Sequence, residues 1–155
     1  MKRWLILAAT VLVGALLGWM PFRGTDVADL QPIEAVRIHS DHGTVSVQTD
    51  TGDSGTGDDL DAAFIDLKKT TAGEVFLETA DYLIINEAAI EELEALCSYL
   101  RPGCGVCIEY GNVKLEDAVI FLKTHEQTVS LQDYRAGERT IPRLQIVEGR
   151  MHLVS

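Results

Sequence analysis

At 155 residues, with 46% hydrophobic and 24% charged content, the chain has room for one domain with a real core and the composition of an ordinary globular protein. The formal net charge is -11, and Lys2, Arg3 and Arg23 account for every charge before residue 24. From there on ten basic residues face 24 acidic ones, a net of -14. Such a surface repels nucleic acid and anionic head groups, and in its plainest role keeps the domain soluble.

Met1-Lys2-Arg3 precedes Trp4 to Met20, a charge-free run of 17 residues bracketed by Trp4 and Trp19. That length is at the short end for crossing a bilayer, the bracketing aromatics suit its interfaces, and the basic start favours a cytoplasmic N-terminus. Residues 1–22 are therefore expected to be an uncleaved transmembrane signal anchor, with residues 4–20 in the membrane. Two alternatives stand beside it. One is a cleaved signal peptide, for which Leu16-Leu17-Gly18-Trp19 offers a poor cleavage site, and the other is a buried core helix. No Cys lies near Gly18 to carry a lipid. Anchor and signal peptide alike place residues 24–155 outside the cytoplasmic membrane. Residues 23–32, closed by Pro32, read as a linker.

The domain is expected to span residues 33–155. Ile33 to Ile38 and Thr44 to Gln48 alternate with period two around Ser40-Asp41-His42-Gly43, which predicts a β-hairpin. Asp50 to Asp59 is glycine-rich and acidic and reads as a solvated loop. Three chemical readings compete there. Asp50-Thr51-Gly52 matches the aspartic-protease triplet, but that chemistry needs two such aspartates sharing a proton. The carboxylates suggest calcium, but the spacing is not that of an EF-hand and no Glu closes it. A phosphate cradle lacks its lysine.

Leu60, Ala63, Phe64 and Leu67 recur at helical spacing between Asp58, Asp59, Asp61 and Lys68, Lys69, so a short helix with dipole-matched ends is expected. Glu74 to Leu77 reads as a short extended segment. Tyr82-Leu83-Ile84-Ile85 has the composition of a strand covered on both faces. Asn86 should cap a helix carrying Ile90, Leu93, Cys97 and Leu100 on its apolar side. After Arg101-Pro102-Gly103, residues Cys104 to Tyr110 read as a strand, and Leu115, Ala118, Val119 and Leu122 mark a third helix fraying by His125. Residues 129–139 are ambiguous. Leu144 to Val147 and Met151 to Val154 read as a closing hairpin. The order ββαββαβαββ predicts an α/β (or α+β) domain, a mixed sheet with about three packed helices.

Chemistry concentrates in the cysteines. Cys104-Gly105-Val106-Cys107 is a C-x-x-C pair with Cys97 upstream. A redox-active pair belongs at a helix N-terminus after a strand. Here a Pro-Gly turn precedes it and strand-like residues follow. Thr140-Ile141-Pro142 is similar to the proline segment of thioredoxin-like folds, but no strand is evident between the third helix and Pro142. A zinc site would need a fourth ligand from His39, His42, His125 or His152, none of which has ligand spacing. A structural disulfide or plainly packed thiols is the simpler expectation, with Cys97 on a core face. No catalytic, cofactor-binding or metal-ligating residue is named.

Gly57-Asp58-Asp59-Leu60-Asp61-Ala62-Ala63-Phe64-Ile65-Asp66-Leu67 resembles the Gly-x-Thr-Leu-x-x-Ala-hydrophobic-x-x-Leu helix of the C subunits of spore germinant receptors. Val75-Phe76-Leu77, Leu83-Ile84-Ile85-Asn86-Glu87 and Cys104 to Tyr110 follow in that family's order, so residues 33–125 are similar to the first domain of those subunits. Asp59 replaces the family's helix-start Thr, the lipid-attachment Cys is missing, and the later domains are not in this sequence. The resemblance implies a membrane-tethered binding or assembly module of an endospore-forming bacterium, with other membrane or envelope proteins as partners and no catalytic residues. The rival expectation is a membrane-tethered thiol–disulfide oxidoreductase using Cys104 and Cys107.

Overall fold

The computed structural model describes residues 30–125, 128–137 and 140–154. The expected anchor and residues 23–29 of the expected linker lie outside them. Among the described residues no helix is long and apolar enough to cross a membrane.

In chain order the elements are β1 (Leu30–Pro32), β2 (Ala35–Asp41), β3 (Thr44–Thr49), β4 (Ser54–Gly57), α1 (Leu60–Thr70), β5 (Glu74–Phe76), β6 (Tyr82–Ile85), α2 (Leu93–Leu96), β7 (Gly105–Tyr110), α3 (Leu115–Thr124), β8 (Val129–Ser130), α4 (Leu131–Arg135), β9 (Arg143–Val147) and β10 (Arg150–Val154). Two 3-10 turns, Leu77–Thr79 and Glu87–Glu92, flank β6.

The main sheet runs β10-β9-β7-β6-β2-β3-β4. Its four central strands, β9, β7, β6 and β2, are mutually parallel, and the outer pairs are antiparallel hairpin strands. This is the expected α/β mixed sheet, with four helices among the described residues. β8 shares an edge of β7 with β9: it pairs antiparallel with Gly105 and Val106, and β9 takes Ile108 to Tyr110. The short β1, at the end of the segment expected to be linker, pairs with β5 in a separate two-stranded sheet.

Strand alternation divides the core into two layers. Val36, Ile38, Leu83, Ile85, Val106 and Ile108 pack against α1, the second 3-10 turn, α2 and Leu131 of α4. Ala35, Ile84, Cys107 and Leu144 lie under α3 alone. β6 is covered on both faces, as its unbroken apolar sequence requires, and its Leu83, Ile84 and Ile85 are fully buried. Each such side chain contributes about 1.5–3 kcal/mol of transfer free energy.

Two expectations are corrected and one ambiguous stretch is resolved. The acidic loop is not wholly loop, because Ser54–Gly57 form the edge strand β4. A Cβ on Gly55 would stand 2.2 Å from the Leu67 backbone nitrogen, and one on Gly57 would stand 2.5 Å from the Ala63 nitrogen. The glycines are there so that α1 can lie directly on the strand. The segment after β6 is not one long helix. It winds as a 3-10 turn over Glu87–Glu92 and only then as the four-residue α2, burying Ala89, Leu93, Leu96 and Leu100 while Ile90 and Cys97 stay half-buried. Glu87 and Glu91 would repel at α-helical i,i+4 spacing, and the tighter winding removes that alignment. Residues 129–135 resolve into β8 and α4, which supply the strand not evident between the third helix and Pro142.

Local chemistry accounts for the elements that matched. The β2–β3 turn places His42 and Gly43 at φ 48° and 82°, the pair of positive values that a two-residue hairpin turn demands. Asp59 caps α1 by accepting from the Ala62 amide at 2.7 Å, the task a Thr would perform at that position.

Candidate functional site

Open parallel sheets bind ligands beyond the carboxyl ends of neighbouring strands whose connections leave toward opposite faces. β6 and β7 are such a pair. After β6 the chain turns toward the α1/α2 layer, and after β7 it turns toward α3. The crevice between them holds Asn86, Glu87, Glu109 and Tyr110, with Arg37 reaching in from β2 and Arg143 from β9.

The protein's own side chains fill this crevice. Arg37 Nε lies 3.0 Å from Glu109 Oε2, with the two side chains 14% and 6% exposed. The contact is ionic, since the Nε–H itself makes no hydrogen bond. The other Glu109 oxygen accepts from the Val113 amide at 2.9 Å, and Arg37 Nη2 donates to the Val113 carbonyl. The pair thus holds the β7–α3 loop. On the other face of the sheet, Tyr110 Oη donates to Glu87 Oε2 at 3.0 Å, linking the end of β7 to the segment after β6. The Arg143 guanidinium sits 5.2 Å above the Tyr110 ring and 3.9 Å from Glu87 Oε1. Asn86 is committed as well. Its Oδ1 accepts from Ser40 N at 3.0 Å and Ala89 N at 3.1 Å, and its Nδ2 donates to the Ser40 carbonyl at 2.7 Å. Beside the crevice on the α2 face, Ile90, Ile108, Tyr134, Ile141, Arg143 and Val154 line an open cleft of about 490 Å³. No spacing in the sequence announces Arg37, Tyr110 or Arg143; only the strand register brings them together.

The residues singled out in the sequence are scattered and structurally employed. Cys104 and Cys107 are buried and free, Cys104 in the α1/α2 layer and Cys107 beneath α3, so they face opposite sides of the sheet. Burial pushes both thiols up to about 12, with the Glu109 charge adding to the effect at Cys107. Cys97, also free and half-buried, donates to the Leu93 carbonyl. Packed thiols, and not a disulfide, are what the cysteines form.

Asp50 of the Asp50-Thr51-Gly52 triplet is a backbone clasp. Its Oδ1 accepts from Glu34 N at 3.1 Å and Ala35 N at 3.3 Å, fixing the start of β2. Gly52 takes the positive φ that closes the turn. Exposed His39 and His42 sit on the β2–β3 hairpin and exposed His152 on β10, far apart in the register, while His125 stacks on Phe121 at 4.0 Å. Among the described residues no three His, Cys, Asp or Glu side chains are grouped to hold a metal ion. Compared with family models, with curated proteins and with solved structures, the chain matches none.

Proposed function

We infer that this chain is a non-enzymatic, membrane-anchored extracytoplasmic domain that acts through protein contacts. The observation that carries this reading is the crevice between β6 and β7. Where an open sheet would receive a ligand, the Glu87–Tyr110 bond links the two strand ends on one face and the Arg37–Glu109 pair holds the β7–α3 loop on the other. Apolar surface is presented elsewhere. Ile146, Val147 and Val154 are 44–47% exposed on the β9–β10 hairpin, and Val154 also lines the open cleft. The anchor rests on residues 4–20, and a setting in spore germination or envelope assembly rests on the sequence resemblance of residues 33–125.

The thiol–disulfide oxidoreductase reading is weakened by the same geometry. Its nucleophile must be an exposed thiolate at a helix N-terminus, whereas Cys104 and Cys107 are buried, on opposite faces and strongly protonated. Three measurements test the proposal. The chain should resist alkaline extraction from membranes and be digested by protease added from outside. The soluble domain should reduce insulin no faster than background. Turnover that vanishes when Cys104 and Cys107 are replaced by Ser would overturn it.

A further inference from the structure

Two sets of observations orient the domain. The first is where the chain enters. Leu30–Pro32 pairs in parallel with β5, Leu30 opposite Glu74. Glu74 follows the C-terminal end of α1, which Thr70 Oγ1 ties to the Ser54 carbonyl at 2.8 Å, at the start of β4. Thr79 Oγ1 accepts from the Ile33 amide at 3.1 Å, just ahead of β2 and β6. α3 ends at the same level, where Lys123 Nζ meets Glu34 Oε2 at 2.6 Å. The N-terminal segment therefore joins the domain at the amino edge of the parallel strands. Residues 23–29, seven in all, reach at most about 25 Å even when fully extended. From that edge β2 climbs seven residues, about 20 Å or slightly more, to the His42–Gly43 turn.

The second is charge. At the amino edge Glu34 pairs with Lys123, Asp81 with Arg101, and Asp50 holds backbone amides, while the exposed Lys68 and Lys69 are matched by the exposed Glu74 and Glu78. The carboxyl edge is different. Asp41, Asp58, Asp59, Glu116 and Asp117 are all exposed there, with Lys114 the nearest base in sequence to the last two. A leaflet of anionic lipid repels that edge and tolerates the other.

We propose that the amino edge, where the chain enters and exposed charges balance, lies against the lipid surface, and that the acidic carboxyl edge points away from the membrane. The proposal rests on the anchor reading. The test uses the full chain with Cys97→Ser, reconstituted in vesicles of phosphatidylcholine and phosphatidylglycerol. A single label is placed on an exposed site at either edge, Ala72→Cys or Asn112→Cys. Lipids spin-labelled at the head group should quench the Ala72 probe several-fold more than the Asn112 probe. A reversed pattern, or equal quenching, in vesicles that carry the protein on flotation overturns the orientation alone. Failure of the chain to float with the vesicles overturns the anchor and the orientation together.

Discussion

At the scale of single residues, the buried thiols and the buried ion pair make opposite demands on the fold. Cys104 and Cys107 hold their protons up to about 12 in the folded state, above the usual thiol value of 9.0. Above about pH 9 the unfolded chain therefore binds fewer protons than the folded one. The stabilisation is complete below that pH and is lost as pH rises toward 12. Thermal melts should show a steady Tm up to about pH 9 and a fall beyond it. Replacing Cys104 by Ala and Cys107 by Val should reduce the slope, and Tyr99 and Lys123, both shifted upward by bonds to Asp61 and Glu34, contribute to what remains. An unchanged slope would show that the thiols are not buried as described. Arg37 and Glu109 present the charged case. Removing Arg37 leaves a carboxylate that is 6% exposed without its counter-charge, so Arg37→Ala should cost about 3–5 kcal/mol in urea denaturation. The pair Arg37→Met/Glu109→Leu should recover much of that, because desolvation offsets most of the attraction in such pairs.

At the scale of elements, legibility followed the source of each element's stability. α1 and α3 were readable because their apolar stripes are local, and Leu60, Ala63, Phe64, Leu67, Leu115, Ala118, Val119 and Leu122 are all buried as the spacing requires. β6 was readable because an uninterrupted apolar run suits few other settings. β4 was not. Ser-Gly-Thr-Gly has almost no strand propensity, and it is extended because β3 and α1 hold it from two sides. The crevice was equally hidden, since Arg37 and Glu109 lie far apart in sequence and meet only through the β2-β6-β7 register. The packing account of β4 has a direct check. Gly55→Ala should lower stability by about 1–3 kcal/mol or more, because its Cβ would meet α1 backbone that cannot yield cheaply. Gly103→Ala, where nothing lies within 4 Å, should stay within about 0.5 kcal/mol. Equal effects would mean that the glycines of β4 serve some end other than close approach.

At the scale of the whole molecule, one sheet separates two cores of unequal depth. Leu83, fully buried in the larger, should cost about 2–5 kcal/mol on truncation to Ala, as should Leu93 and Phe64. A loss of less than about 0.5 kcal/mol would place these residues at the surface instead. The β9–β10 hairpin groups three exposed apolar side chains, Ile146, Val147 and Val154, and the charged crevice is committed to internal bonds. Under the proposed function the domain acts by what it touches. The most direct measurement is photo-crosslinking in intact cells, with the reactive group placed in the full chain at Ile146 or Val154 of the hairpin, and at Ile65 or Ile120 on the helices. All four sites are 44–65% exposed, so accessibility alone does not separate them. Discrete protein adducts at the hairpin positions and none at the helix positions are expected. Adducts spread evenly over all four sites, or absent from the hairpin, would contradict the claim that the domain works through contacts at that end.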